Sequence, residues 1–382
     1  MSCSKNSSSP GTMVQMIAGG SFEQYHINEA AQSHFRTTHR KTTRFAMNHE
    51  IVEPRCAQKI ALKQSASQTV SYNLQRTGDV VRQMYVMATL PVLSGDNARY
   101  VDNVAHALVD SAELCIGSTL VDSVDSDLMM ALHELSGDAG NMHANDRMVG
   151  RLSQTDREDA AEAAATYFCP LPFFFCGRNH GMALPLVALQ YHDVTVSLTY
   201  ASLDDLIESG SASSLPEVDL VANFGYLDQA QRVQMAGSNI EMLVPQHQKL
   251  SFADGPTQKL RFNHAVTALI MHQGGNQLNS LHLELNQSKR TSPDLPAEFY
   301  RLVTPYETCS RARSDMNYYV IPFGLDVLNE SSPAGALNFS RIDEPMLTWD
   351  SDADETLDVY ARSWNVLRVS AGSAGLVYSY SG

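Results

Sequence analysis

The stretch VTVSLTY, residues 194–200, indicates the fold class, because its apolar residues occupy the even positions and its polar residues the odd positions. Alternation with a period of two is typical of a β-strand with one face in a core and the other towards water. Residues 281–286 (LHLELN) alternate in the same way, and residues 112–116 (AELCI) more weakly. Residues 265–271 and 317–323 are apolar on both faces, which predicts central strands packed on both sides or strands buried at a domain or subunit contact.

Helical patterns are sparse along the chain. Residues 126–135 (SDLMMALHEL) predict a helix that begins at a serine cap. Residues 156–165 (DREDAAEAAA) predict a short exposed helix or a loop. Many short strands, Gly and Pro turns and few helices together favour an all-β sandwich or barrel.

The domain organisation is indicated by residues 209–216 (SGSASSLP), which are small, polar and unpatterned, as linkers are. We therefore predict a flexible N-terminal segment of residues 1–20, a first domain of residues 21–208 and a second domain of residues 217–382. Residues 106–109 (HALV) resemble residues 264–267 (HAVT), and each leads into an apolar strand. This faint similarity fits two copies of one fold in tandem.

The composition excludes several classes of protein. The formal net charge is −15, whereas non-specific nucleic-acid binding needs Lys and Arg facing phosphates, so we predict no direct contact with nucleic acid. The six cysteines are scattered without a C-x-x-C pair, which indicates buried thiols in a reducing compartment. The sequence contains no run of about 18 apolar residues, the length that a membrane span requires. The polar residues 1–12 do not resemble a secretory signal.

Catalytic motifs are absent from the sequence. It contains no phosphate-binding loop, dinucleotide-binding turn, H-E-x-x-H zinc motif or G-x-S-x-G nucleophile elbow. It also lacks the H-x-H or H-x-D pairs that hold a metal on one strand of a β-sandwich. Asp350, Asp352 and Asp354 suggest a calcium loop, but the Gly and Glu that such a loop requires are missing, so we predict a solvated acidic loop. The sequence thus predicts no enzyme, no catalytic, cofactor-binding or metal-binding residue and no cofactor.

One basic cluster stands out in this acidic chain, and its members are His34, Arg36, His39, Arg40, Lys41 and Arg44. The cluster is either a solvated edge with local salt bridges or a strip that docks an acidic partner. The residues by themselves leave both interpretations open.

Several segments resemble the major capsid proteins of the nucleocytoplasmic large DNA viruses, the group of phycodnaviruses, iridoviruses and marseilleviruses. The most distinctive are residues 170–176 (PLPFFFC) and residues 181–194 (GMALPLVALQYHDV). Further similar segments follow in the order of the family: residues 35–46, 78–85, 100–108, 262–264, 338–343, 365–368 and 375–379. The chain is short for the family, and residues 27–30 (INEA) stand where the family has Thr-Gly-Asn-Pro.

The resemblance implies two tandem eight-stranded antiparallel jelly rolls, with a few short helices in loops, in residues 21–208 and 217–382. It implies a homotrimeric capsomer of near-hexagonal outline that tiles the faces of an icosahedral virion made and assembled in the host cytoplasm. The implied partners are other copies of the chain, minor capsid and penton proteins, and the inner membrane layer, with the basic cluster as an inner-face docking strip. Residues 137–150 are expected in an outward loop.

Other interpretations stay open. Within structural proteins, the chain could be a minor double jelly-roll capsid protein or a scaffold paralogue of the same virus. Outside them, it could be a cellular jelly-roll enzyme or a lectin, because a fold alone does not decide function. The missing metal-binding pairs argue against the enzyme.

Overall fold

The computed structural model describes residues 20–21, 25, 35–37, 39, 41–55, 60–137, 139–253, 257–274, 277–292, 294–312, 317–329, 333–351 and 356–378. It divides the chain into two compact units, residues 1–43 and residues 44–382. In the first unit, described at few residues, Tyr25 and Phe35 are exposed. Within the described residues, no helix combines the length and the hydropathy that a membrane span requires.

The first part of the second unit, which we call lobe 1, is a sandwich of two antiparallel sheets. One sheet has the order β1-β11-β4-β8 with β2 beside β11, the other has the order β3-β9-β6-β7, and β5 pairs with β10. The strands are β1 (Phe45–Val52), β2 (Ile60–Ala61), β3 (Gln68–Asn73), β4 (Val80–Leu90), β5 (Leu93–Tyr100), β6 (Val109–Ile116), β7 (Thr119–Asp125), β8 (Ala165–Pro170), β9 (Val194–Tyr200), β10 (Ile207–Ala212) and β11 (Glu217–Leu227). The helices are α1 (Val104–Ala107), α2 (Ser126–Ser136), α3 (Met142–Val149), α4 (Gln154–Ala161), α5 (Leu203–Leu206) and α6 (Gln229–Gly237).

The remainder of the unit, which we call lobe 2, is a second sandwich. Its sheets have the orders β12-β20-β14-β17, with β18 and β21 attached, and β13-β19-β15-β16. The strands are β12 (Ile240–Phe252), β13 (Thr257–Lys259), β14 (Ala265–His272), β15 (Leu278–Leu285), β16 (Ser288–Lys289), β17 (Tyr318–Pro322), β18 (Leu337–Asn338), β19 (Pro345–Ser351), β20 (Leu357–Ser370) and β21 (Ser373–Leu376). One helix, α7 (Ala297–Thr308), lies between β16 and β17.

The two lobes share one strand order. Eight main strands of each lobe are numbered along the chain: β1, β3, β4, β6, β7, β8, β9 and β11 in lobe 1, and β12 to β17, β19 and β20 in lobe 2. With this numbering, one sheet of each lobe has the order 1-8-3-6 and the other the order 2-7-4-5. This is the Greek-key order of a jelly roll, and the prediction of two tandem jelly rolls is confirmed. The repeat does not lie in the tetrapeptides that suggested it, because residues 106–109 lead into the fourth strand of lobe 1 and residues 264–267 into the third strand of lobe 2.

The boundary between the lobes differs from the predicted linker of residues 209–216. Residues 207–212 form β10, which pairs with β5. The following β11 lies between β1 and β4 in the first sheet, so lobe 1 continues beyond residue 208 and is complete only with this strand. The small polar residues therefore mark a turn inside lobe 1, and the chain enters lobe 2 after α6.

The helices agree only partly with the sequence prediction. Helix α2 matches the predicted segment, although its cap is Asp125, whose side chain accepts a hydrogen bond from the Leu128 N–H at 3.1 Å. Helix α4 begins after Ser153 and is shorter than predicted, because β8 begins at Ala165. The sequence did not predict α3, α6 or α7, and α3 occupies most of the expected outward loop of residues 137–150.

The 1-8-3-6 sheet of lobe 2 is buried on both faces. On β14, Leu269 and Met271 pack into the core between the sheets of lobe 2, whereas Ala268 and Ile270 join the core cluster of lobe 1. On the adjacent β17, Tyr319 packs into the core of lobe 2, whereas Tyr318 joins the core cluster of lobe 1. The sequence prediction for residues 265–271 and 317–323 is thus confirmed, with a domain contact on the second face.

Leu269 and Ile270 allow a direct test of this double burial. We expect Leu269→Ala and Ile270→Ala each to lower the free energy of unfolding by about 2–5 kcal/mol, because both remove buried methyl groups. Val233→Ala on exposed α6 is the control and should change it by no more than about 0.5 kcal/mol. Urea unfolding followed by the fluorescence of Trp349 and Trp364 measures all three. A loss for Ile270→Ala as small as that of the control would contradict burial of the second face.

Candidate assembly surfaces

The basic cluster is described only in part. Arg36, His39, Lys41 and Arg44 are exposed, whereas His34 and Arg40 lie outside the described residues. Arg44 directly precedes β1, and its backbone carbonyl accepts a hydrogen bond from the Asp228 N–H at 3.3 Å. The first three of the described members belong to the unit of residues 1–43, and Arg44 begins the other unit.

The described part of the chain contains no cluster of metal-binding side chains. No group of three or more His, Cys, Asp or Glu side chains there lies close enough to hold an ion. Of the acidic loop, Asp350 is exposed on β19, while Asp352 and Asp354 lie outside the described residues. Several buried charged side chains lie instead where the two lobes meet.

We call this contact the junction: β7 and α2 of lobe 1 pack on the outward face of the 1-8-3-6 sheet of lobe 2. At its centre Asp122 accepts two hydrogen bonds from His247, one from the backbone N–H at 3.0 Å and one from ring Nδ1 at 2.9 Å. Both side chains are almost fully buried. Beside them the Gln246 amide donates to the Val121 carbonyl at 2.6 Å. The junction is thus joined by hydrogen bonds that are shielded from water.

Lys249 forms a second charged group at the junction. Its ammonium lies 2.7 Å from Asp125 and 2.8 Å from Asp358, over the ring of Tyr360. Burial alone would lower the pKa of Lys249, but the hydrogen bonds to the two carboxylates outweigh it and raise the pKa. Burial raises the pKa of nearby Asp127, an effect that His272 partly offsets. The acidic groups here come mainly from lobe 1 and the basic groups from lobe 2.

Glu134 on α2 forms two further buried ion pairs at the junction. Arg151 Nη1 lies 2.6 Å from Glu134 Oε1, and Arg311 Nη2, from the segment after α7, lies 3.0 Å from Oε2. Arg311 also donates its backbone N–H to the Leu135 carbonyl at 3.2 Å. Gly137 leaves room for this arginine, because a Cβ there would lie 2.8 Å from Arg311 Nη1. The carboxylate therefore ties two segments of lobe 1 to lobe 2.

A further contact between the lobes uses the loop before β9. His192 Nδ1 lies 3.0 Å from the carbonyl of Ala374 on β21, and the Tyr191 N–H donates to the Gly372 carbonyl at 2.9 Å. Together with the junction, this contact joins lobe 2 to lobe 1.

A cleft of about 790 Å³ lies between the lobes. Its lining includes residues 170–174 and 176–181, which cover most of the segment 170–176 that resembles viral capsid proteins, together with His247 and Arg362 of lobe 2. Phe173, Phe174 and Phe175 are buried in the core cluster of lobe 1, with Phe174 and Phe175 edge to face. The aromatic run is therefore core, and the segments around it shape the side of lobe 1 that faces lobe 2.

The junction was not predicted from the sequence. Asp122 and His247 are 125 positions apart, and no local pattern marks either of them. Evidence of this contact in the sequence was only indirect. The strands at residues 265–271 and 317–323 are apolar on both faces, so another part of the protein had to cover their second face.

Comparison with known proteins gives consistent matches along the chain. A family model described as "Major capsid protein N-terminus" matches residues 33–236. Another, described as "Large eukaryotic DNA virus major capsid protein", matches residues 270–375. The first match ends within one residue of the end of α6, in agreement with the lobe boundary seen in the structure.

Individual relatives and solved structures agree with these matches. The major capsid protein of Pyramimonas orientalis virus is 30% identical over 97% of this chain and 99% of its own length. That of Paramecium bursaria Chlorella virus 1 is 25% identical over the same shares. The capsid structure of the latter virus superposes with a TM-score of 0.79 at 21% identity, covering 91% of this chain and 100% of that chain. The Faustovirus major capsid protein gives 0.68 at 10% identity, covering 89% and 93%.

Glu134 provides a test of the junction. We expect Glu134→Gln to lower the free energy of unfolding by about 3–5 kcal/mol, because it removes the buried charge that lies closest to two buried arginines, although Arg311 keeps a longer contact of 3.8 Å with Asp146. Glu158→Gln is the matched control: Glu158 pairs with Arg99 at 3.0 Å but is more exposed, so its loss should cost about 1 kcal/mol or less. Urea unfolding measures both variants. Equal losses would show that the Glu134 contacts contribute no more than a surface ion pair.

Proposed function

Because the chain belongs to the family of large eukaryotic DNA virus major capsid proteins, we propose that it acts as a homotrimeric capsomer of near-hexagonal outline. Three copies with two jelly rolls each supply six similar lobes, and such a block can tile the flat faces of an icosahedral shell. The protein is a structural component of the virion that assembles with other copies of itself.

The observation that carries the proposal is the repeated strand order. Both lobes have a 1-8-3-6 sheet and a 2-7-4-5 sheet, and the sheet shared between their cores holds them together. A chain whose two halves have the same shape can present nearly equivalent surfaces six times around a threefold axis. The buried ion pairs of the junction support this proposal, because a rigid lobe pair keeps the six positions regular.

Assembly involves further partners in this proposal. Minor capsid proteins, a distinct protein at the fivefold vertices and the inner membrane layer complete the shell, and the host cytoplasm is the place of assembly. The net charge of −15 disfavours direct packing against the genome.

Light scattering coupled to size-exclusion chromatography tests the capsomer. The chain mass is 42.0 kDa, so a trimer has 3 × 42.0 kDa, about 126 kDa. We expect a stable species at that mass, with hexagonal outlines in negative-stain images. A species that stays at 42.0 kDa at all concentrations would contradict self-assembly into trimers.

The basic cluster is proposed as the strip that docks an acidic minor capsid protein on the inner face. Its described members Arg36, His39, Lys41 and Arg44 are exposed, as a docking strip requires. Their positive charge contrasts with the acidic chain that carries them.

A triple substitution tests the strip. We expect Arg36→Gln with Lys41→Gln and Arg44→Gln to leave trimers intact but to weaken docking about tenfold, equal to about 1.4 kcal/mol, and so to reduce the yield of particles. The control removes the same charge from exposed Lys63, Lys259 and Arg341. Gradient-purified particles from cells that produce the whole virus give the yield. Normal yield from the first variant, or equal loss from the control, would exclude a specific docking role.

A further inference from the structure

Two histidines face each other beside the junction. His106 on α1 and His133 on α2 have ring centroids 5.2 Å apart. His106 is 1% exposed, and His133 is half-buried at the lining of the cleft between the lobes. Among the described residues, Nε2 of each ring has no hydrogen-bond partner and no carboxylate forms an ion pair with either ring. The nearest polar partner of His106 is the Cys169 Sγ, 3.5 Å from Nδ1, and a thiol is a weak hydrogen-bonding group.

This environment keeps both rings neutral in the folded protein. Burial, with a smaller contribution from His133, lowers the pKa of His106 to about 3. Burial also lowers the pKa of His133; Glu134 and Asp146 oppose this effect, and Arg311 adds to it. A histidine in the unfolded chain has a pKa of about 6.5. Because the pKa values are lower in the folded state, the stability that these rings contribute is complete above about pH 6.5 and is lost as the pH falls below that value.

A proton on His133 would disturb the buried ion pairs of the junction. Glu134 pairs with Arg151 and with Arg311, and Arg311 also lies 3.8 Å from Asp146. The formal charges of these four groups cancel. A charged His133 adds a positive charge beside them, and charges are only weakly screened in a buried site. Since Arg311 is the member that lobe 2 contributes, its repulsion from His133 is relieved when lobe 2 moves away from α2.

The other histidines of the junction respond to acid in the opposite sense. His247 lies 2.9 Å from Asp122, and His272 lies 3.9 Å from Asp127. A positive charge on either ring is attracted by its aspartate, so acid strengthens these pairs while the aspartates stay ionised. Burial raises the pKa of Asp127, which therefore takes up a proton in the folded state at a higher pH than usual. Acid sensitivity of the junction can thus come only from rings that lack a carboxylate partner.

The remaining titratable groups near the two rings keep their charge state in mild acid. Burial raises the pKa of Cys169 on β8 to about 12 and that of Tyr318 on β17 well above its usual value, so both stay neutral. The pKa of Lys249 is raised despite its partial burial, because hydrogen bonds to Asp125 and Asp358 outweigh the desolvation, so the ammonium stays charged. His106 and His133 are therefore the groups whose protonation opposes the closed junction.

We propose that His106 and His133 form an acid-sensitive switch: protonation of these rings releases lobe 2 from α2 and opens the cleft between the lobes. At neutral pH the two lobes are held at one angle, and in mildly acidic surroundings the junction gives way. A capsomer whose lobes are no longer held at this angle does not fit its neighbours, so acid would loosen the shell. This consequence rests on the proposed function, whereas the opening of the junction is a property of the single chain.

Hydrogen exchange measured by mass spectrometry tests the switch, because two backbone N–H groups bond directly across the junction. The His247 N–H donates to Asp122 at 3.0 Å, and the Arg311 N–H donates to the Leu135 carbonyl at 3.2 Å. After correction for the intrinsic exchange rate, we expect the opening constant of peptides with these two residues to rise at least about tenfold between about pH 7.5 and about pH 5.5. Peptides of β15, inside lobe 2, should change less than about twofold.

A double variant removes the titration. His133→Gln with His106→Asn keeps a polar side chain at each position but cannot take up a proton, so its opening constants at His247 and Arg311 should agree within about twofold at the two pH values. The matched control is His143→Gln on α3, at an exposed position, which should retain the full acid response. Far-UV circular dichroism at neutral pH shows whether each variant is folded. If the double variant does not fold, His133→Gln alone at the half-buried position should lose about tenfold of the response.

The outcomes separate this inference from the proposed function. An unmodified chain whose junction exchanges equally at both pH values would overturn the switch, and so would a folded variant without the two histidines that keeps the acid response. Neither result bears on the trimer, which is measured by its mass. A monomeric chain that shows the acid response would instead overturn the capsomer and leave the switch between the lobes in place.

Discussion

The 1-8-3-6 sheet of lobe 2 is the element on which the rest of the structure depends, because it serves two cores at once. Leu269 and Met271 complete the interior of lobe 2, while Ala268 and Ile270 complete that of lobe 1. A sheet buried on both faces cannot move relative to either neighbour without exposing apolar surface to water. The relative position of the two jelly rolls is thus fixed by the folded core and depends little on the segment that links them.

Apolar packing alone would leave the rotation of one lobe on the other weakly defined. The buried polar groups of the junction restrict this freedom, because a rotation of the lobes would separate Asp122 from His247 and Glu134 from Arg311. Such pairs add little net stability compared with well-packed apolar residues, but a misaligned arrangement leaves charges buried and unpaired. For a block that must repeat regularly in a shell, a fixed angle between lobes matters more than added stability.

The sequence predicted local features better than long-range ones. The alternation in residues 194–200 coincides with β9, and the apolar strands at residues 265–271 and 317–323 indicated burial on two sides before the covering element was known. Helix α7 was missed because Pro305 and the aromatic residues interrupt its apolar period. The lobe boundary was misplaced because residues 209–216 have the composition of a linker but lead into β11, whose position between β1 and β4 depends on pairing that no local pattern records.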